Sequence, residues 1–207
     1  SSDIKVLQLR RLGKGCLSYI VIKGGNAIVI DPTIDAEEFL LAAKSSGAKI
    51  IAVLDTHTHA DHVSGGRKLA DLAGAEYYSP DSRLKTRHKI IKEGEMSFGQ
   101  IRIKTVNTPG HTPESICYII ESFVFTGDTL FAESVGRPDL GQDSRKNASI
   151  LWDSIRKILE LPGNMTIIPA HYSREIPAEI ISIKIRDAKK LDAAKMGRKK
   201  FMDWIAK

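Results

Sequence analysis

The sequence predicts a layered α/β fold, two sheets packed together with helices outside, on three observations. Short apolar strands come first. An amphipathic helix, a strand and a second helix follow, and the second half of the chain repeats this style without a detectable sequence repeat. At 207 residues the chain can bury a core without disulfide staples, so one domain over residues 1–207 is expected.

Residues 4–9 are apolar and roughly alternating, and residues 16–22 mix β-branched and aromatic side chains, so both read as strands. Gly24-Gly25 makes a turn, and Ala27-Ile28-Val29-Ile30 reads as the next strand. Asp35 opens an amphipathic helix with Ala36, Phe39, Leu40 and Ala43 on one face, ending near Gly47. Residues 50–54 form a buried strand that runs into Thr56-His57-Thr58-His59-Ala60-Asp61-His62, and a helix to about Ala73 follows, anchored by Leu69 and Leu72. Residues 101–106 alternate, residues 108–111 form a loop, and residues 115–120 pair with 123–126 across Glu121-Ser122. A helix carrying Ile150, Leu151, Ile155, Ile158 and Leu159 stops at Pro162-Gly163, and a short strand over 165–168 leads to Pro169-Ala170-His171. A basic helix is expected over about 177–204.

Composition narrows the class. No run approaches the roughly 18 to 20 uncharged apolar residues that span a bilayer, and apolar residues recur along the whole length, which excludes disorder. Two cysteines far apart, Cys16 and Cys117, are a poor framework for a secreted domain, so a cytoplasmic location is expected. The net charge is +6, and residues 174–207 carry ten Lys/Arg against five acids. A solvated face of a terminal helix explains such a run without nucleic acid.

The chemistry lies in the histidines. Five of the six, His57, His59, His62, His111 and His171, follow strand ends, with Asp61 inside the first cluster and Asp128 after another strand. Residues at strand ends are held by the sheet while their side chains reach a shared rim. Imidazole and carboxylate without thiolate suit Zn, Fe(II) or Mn. An extended backbone at His57-Thr58-His59 would put both imidazoles on one side. His88, in a basic run, reads as a surface residue. Asp31, in Ile30-Asp31-Pro32, reads either as a turn residue or as one that orients a ligand histidine.

The segment 56–62 resembles the His-x-His-x-Asp-His signature of the metallo-β-lactamase fold. Pro109-Gly110-His111-Thr112, Thr126-Gly127-Asp128-Thr129 and Pro169-Ala170-His171 follow in that family's order, so the resemblance covers roughly residues 4–173. It implies an αββα four-layer sandwich with a metal site at one edge of the sheets. In members with two metals, His57, His59 and His111 match the first-site ligands, Asp61, His62 and His171 the second, and Asp128 bridges. A hydroxide shared by two metals is a hydrolytic nucleophile.

Finer motifs resemble the persulfide dioxygenases: residues 111–115, 126–131 and 61–66, and above all Val135-Gly136-Arg137-Pro138-Asp139-Leu140, where glyoxalase II enzymes differ. The resemblance implies one Fe(II) per chain held by His57, His111 and Asp128, leaving open positions for a persulfide sulfur and O2. His59, Asp61, His62 and His171 become outer hydrogen-bond partners. The implied reaction takes a glutathione persulfide-type substrate with O2 and water to sulfite and thiol. Arg137 is a candidate anchor for a substrate carboxylate or a structural arginine, and Cys16 a candidate substrate neighbour or a plain buried residue. After His171 the chain reads Tyr172-Ser173-Arg174-Glu175, a departure from the family's continuation. A separate rhodanese-type sulfurtransferase is the expected sulfur partner, and a homo-oligomer is compatible with the sequence. The alternative is a glyoxalase II-like thiolester hydrolase with two Zn or mixed metals. Nuclease and non-enzymatic metal-binding readings draw only on the basic charge and the site itself.

Overall fold

The structure is a computed structural model that describes residues 3–11, 13–33, 35–59, 64–138, 143–173 and 179–205. Asp61 and His62 therefore lie outside the described residues, as do Asp139 and Leu140. The chain divides into two compact units, Ser1–Lys104 and Thr105–Lys207, with the division inside a strand.

The first unit holds a sheet of order β1-β2-β3-β4-β5-β6. Its strands are β1 (Lys5–Arg11), β2 (Cys16–Lys23), β3 (Asn26–Ile30), β4 (Lys49–Leu54), β5 (Glu76–Ser79) and β6 (Lys89–Ile90). The first three pair antiparallel and the rest parallel. Gly24 and Gly25 close the β2–β3 hairpin with φ of 59° and 76°. Two left-handed residues match the twist of the paired strands, and glycine adopts that pair without strain. Helices α1 (Ala36–Ser45) and α2 (Gly66–Ala73) connect the parallel strands. Phe39 and Ala43 of α1 and Leu69 and Ala70 of α2 pack with Ile20, Val29, Ile50, Val53 and Tyr77 in one core. Leu72 departs from expectation: it is exposed. The buried face runs Gly66, Leu69, Ala70, which turns Leu72 toward solvent.

The second sheet has the order β12-β11-β10-β9-β8-β7. Its strands are β7 (Gly94–Phe98), β8 (Ile101–Asn107), β9 (Ile116–Ile120), β10 (Phe123–Gly127), β11 (Thr166–Pro169) and β12 (Ile183–Lys184). Strands β9 and β10 form the expected hairpin, with Glu121 in the left-handed region at φ 52°. Strands β10 and β11 run parallel. Helix α3 (Ser144–Leu159) begins earlier than its apolar residues indicate, because the Asp143 side chain accepts from the Lys146 N–H and caps it. Its buried residues Leu151, Ile155 and Ile158 join Cys117, Val124 and Ile167 in the second core.

The expected basic helix is instead three short ones, α4 (Ile185–Ala188), α5 (Asp192–Lys195) and α6 (Arg198–Ile205). Leu191 and Met196 are extended between them, at ψ 142° and 135°. These breaks let Ala188, Ala193, Ala194 and Phe201 all reach the core under α3. Arg198 stacks 4.5 Å over the Trp152 ring and pairs with Asp153, so part of the basic charge serves packing.

Candidate metal centre

Parallel strands leave the sheet side by side, so residues just past their carboxyl ends are neighbours. In the first unit this brings Asp31, after β3, to the segment 55–59, after β4. Asp31 holds φ 53°, an unusual conformation for a residue with a Cβ. Its own N–H donates to Leu54 O at 2.9 Å and its carbonyl accepts from the Ser18 hydroxyl at 2.6 Å. The carboxylate so aimed accepts from the Thr56 N–H at 2.8 Å and from the Thr56 hydroxyl at 2.7 Å.

That hydroxyl decides the state of His57. The Thr56 hydrogen is committed to Asp31, so Thr56 Oγ1, 2.8 Å from His57 Nδ1, accepts from an Nδ1–H. Nε2 of His57 then carries the lone pair that a metal needs. His59 lies beside it, the ring centroids 4.3 Å apart, so the two imidazoles share a side as expected. Nε2 of His59 faces two buried carboxylates, Asp31 at 3.4 Å and Asp55 at 3.8 Å. Burial opposes protonation of His59, yet the two aspartates outweigh it and raise its pKa well above the ordinary imidazole value. Burial likewise pushes the Asp31 carboxyl up, but His59, His57 and the Thr56 N–H overcome this and hold it below its ordinary value. Donor atoms of Asp31, His57 and His59 all lie within 4.8 Å of one another.

Thr58 is tied on the other flank. Its hydroxyl donates to Asp81 Oδ2 at 2.5 Å, while Asp81 Oδ1 accepts from the backbone N–H and Nε of Arg83 at 2.8 and 2.9 Å. His88, expected at the surface, contacts the Asp81 and Thr86 carbonyls at 2.8 and 2.7 Å and so ties down the turn that carries Asp81.

The second unit repeats the strand-end logic. Asp128 follows β10 and His171 follows β11, its parallel neighbour. His111 stands in the loop between β8 and β9. This loop is pressed on α3: the Ser154 hydroxyl donates to Pro109 O at 2.7 Å, and a Cβ on Gly110 would lie 2.5 Å from Leu151 Cα. His111 Nε2 is 3.2 Å from Asp128 Oδ2, and His171 Nδ1 contacts Asp128 Oδ1. The other nitrogen of His111, Nδ1, is 2.8 Å from the Arg137 carbonyl. A carbonyl only accepts, so Nδ1 carries the hydrogen, and in the neutral ring Nε2 keeps the lone pair. Burial lowers the His111 pKa, but Asp128 and the Arg137 carbonyl outweigh it and the net shift is upward.

Arg137 thus enters through its backbone, while its side chain is exposed. The preceding Gly136 donates its N–H to Thr129 O at 3.1 Å, and a Cβ there would lie 1.6 Å from the Asp128 carbonyl oxygen. Cys16 is buried, its thiol 3.8 Å from Lys14 O. Sequence reasoning missed Asp55, Thr56, Asp81 and Tyr77 as parts of the site. Asp55 adjoins the histidine motif and was open to notice; Asp81, in Ser79-Pro80-Asp81, looks like any turn aspartate. The donor set, imidazoles with their second nitrogens anchored together with buried carboxylates, fits a first-row divalent metal.

Comparison with known proteins agrees. The sequence profile described as Metallo-beta-lactamase superfamily matches residues 12–106 and 76–171. A hydroxyacylglutathione hydrolase of Rhodospirillum rubrum is 36% identical over 153 residues, 71% of this chain and 57% of that protein. The mitochondrial persulfide dioxygenase ETHE1 of Mus musculus is also 36% identical over 153 residues, 70% of this chain and 58% of that protein. The chain therefore spans somewhat over half the length of these relatives. Among solved structures, ETHE1 from Myxococcus xanthus gives a TM-score of 0.88 at 25% identity, covering 97% of this chain and 89% of that one. A metallo-beta-lactamase from Staphylococcus aureus gives 0.89 at 27% identity, covering 99% and 67%. On its motifs, its strand order and these likenesses, the chain has the metallo-β-lactamase fold and belongs to the metallo-β-lactamase superfamily.

Proposed function

We propose that the protein is an iron-dependent persulfide dioxygenase, with one Fe(II) per chain held by His57, His111 and Asp128. The observation that carries this reading is the contact of His111 Nδ1 with the Arg137 carbonyl. It makes the segment 135–138, whose sequence resembles the dioxygenases rather than glyoxalase II, an integral support of a ligand histidine. His57 and His111 both bear hydrogen on an anchored Nδ1 and present Nε2, and Asp128 supplies the carboxylate of a two-histidine, one-carboxylate set. When bound, such an ion would supply the redox chemistry that lets O2 react with a persulfide sulfur. The balanced reaction is RSSH + O2 + H2O to RSH and sulfurous acid, with a glutathione persulfide-type substrate.

The protein's own groups hold this set in place. Asp31, through Thr56, keeps the His57 ring from turning, and His171 occupies the Asp128 oxygen that His111 does not face. His59 would be an outer hydrogen-bond partner in this reading, the role the sequence resemblance also implies for Asp61 and His62. The exposed Arg137 guanidinium is the proposed anchor for a substrate carboxylate, and Cys16 stays a buried neighbour. A cytoplasmic protein receiving sulfur from a separate rhodanese-type partner completes the proposal; among the described residues no helix is long and apolar enough to cross a membrane.

A second reading, a thiolester hydrolase with two Zn or mixed metals, is favoured by one feature. Asp128 meets a histidine on each carboxylate oxygen, as a ligand bridging two metals would. Oxygen uptake by Fe(II)-loaded protein given glutathione persulfide, with sulfite assayed in the same vessel, separates the two. Uptake matched by sulfite is expected. Absence of uptake from protein holding one iron, with cleavage of a glutathione thiolester by the Zn form, would replace the first reading by the second.

A further inference from the structure

We propose that Tyr77, acting through Asp55, is a positioning residue that fixes the His59 ring beside the metal site. The inference deepens the functional reading above and rests on residues 57–59 lining a metal site. Tyr77 lies on β5 and is almost fully buried. Its hydroxyl donates to Asp55 Oδ2, and the other carboxylate oxygen, Oδ1, stands 3.8 Å from His59 Nε2. Asp31 Oδ1 approaches the same nitrogen from a second direction at 3.4 Å.

The logic is one of degrees of freedom. An aspartate turns readily about its terminal bond, which is broad and roughly two-fold. Once the Tyr77 hydroxyl holds Oδ2, Asp55 presents Oδ1 to the imidazole in one orientation. Two carboxylates at Nε2, Asp31 at 3.4 Å and Asp55 at 3.8 Å, hold the His59 ring in one orientation against the neighbouring ring of His57.

The tyrosine is itself locked. A Cβ on Gly66 would lie 2.3 Å from the Tyr77 ring, so the start of α2 closes directly over it. Ser64, whose hydroxyl accepts from the Gly66 N–H at 3.0 Å, lies 3.5 Å from the Tyr77 hydroxyl. Burial and the Asp55 charge both raise the phenol pKa, in keeping with a hydroxyl that donates to Asp55. A purely structural tyrosine needs only one satisfied hydroxyl partner. Here that partner is the carboxylate that faces a site histidine.

Tyr77→Phe keeps the ring that packs under Gly66 and deletes the donor. We would titrate metal-free protein with Co(II) against a chelating indicator and record the visible Co(II) spectrum. The expected result is affinity weakened by about 10- to 100-fold with shifted bands, in protein of unchanged far-ultraviolet circular dichroism. Asp55→Asn should weaken binding similarly, and the double variant should be no worse than Asp55→Asn alone. Tyr78→Phe, on the next residue of β5 and packed against Phe98, should bind as the parent does. Parent-like affinity and spectrum in Tyr77→Phe would overturn the relay, as would additive effects of the two changes. If Tyr77→Phe does not fold, Asp55→Asn decides alone, parent-like Co(II) binding sinking the idea. Failure of the parent to bind Co(II) would instead remove the metal reading and the relay with it.

Discussion

Asp31, Asp55 and Asp81 show how three aspartates can surround one short segment, each with a different duty. Asp31 governs His57 through Thr56 and faces His59 directly; Asp55 faces His59 from the side of Tyr77; Asp81 holds Thr58. Asp81 also makes a pH prediction. The Arg83 side chain beside it, aided by Thr58 and a backbone N–H, outweighs burial and holds its pKa down to about 2. A carboxylate whose folded pKa lies below the unfolded one stabilises the fold at pH above the unfolded value and loses that contribution as pH falls. The tie on Thr58 should therefore be intact above about pH 4 and vanish on approaching pH 2. Thermal midpoints measured between pH 2 and 6 should fall more steeply on acidification for the parent than for Asp81→Asn, which has no charge to lose. Equal slopes would mean that Asp81 contributes nothing there.

At the level of elements, the sites hang from pairs of parallel strands, β3 with β4 and β10 with β11, whose carboxyl ends deliver Asp31 with His57 and Asp128 with His171. Helix α3 acts from behind by fixing the His111 loop through Ser154 and Leu151. The 135–138 segment closes on the Asp128 peptide so tightly that only glycine fits at 136, for reasons of space. Gly136→Ala should displace that peptide and the Arg137 carbonyl together. We expect a stability loss of about 1–3 kcal/mol from overpacking and metal affinity reduced by about tenfold or more, measured by thermal unfolding and Co(II) titration. An alanine tolerated without either change would mean the loop can withdraw from Asp128 at no cost.

For the whole molecule, the proposed ligand set makes a ranked prediction. His57→Ala, His111→Ala and Asp128→Ala should each abolish iron binding, measured as iron per chain after reconstitution and desalting, while His59→Ala and His171→Ala should weaken it less. Equal loss from all five would point to two metals and to the hydrolase. Metal that binds only the folded state should also raise the thermal midpoint of the parent, and not of the first three variants.

Much of this was legible in the chain. The alternation of residues 101–106, the hairpin across Glu121-Ser122 and the helical face of Phe39 and Ala43 follow from local periodicity, and the structure has them. The histidine positions were legible too, because strand ends are marked by where apolar runs stop. Strand β5, with four residues, and the two-residue β6 and β12 left no such mark. The basic terminal segment broke into three helices because burial of Ala188, Ala193, Ala194 and Phe201 against α3 outweighed the continuity its composition favours. By itself the sequence determined the family, the order of its motifs and the ligand types, which depend on residue identity and near-neighbour spacing. Only the tertiary structure decided which nitrogen of His57 and of His111 is held, that the Arg137 carbonyl meets His111, and that Tyr77, on β5, reaches Asp55. Those are contacts between residues distant along the chain, and their geometry is set by packing rather than by local pattern.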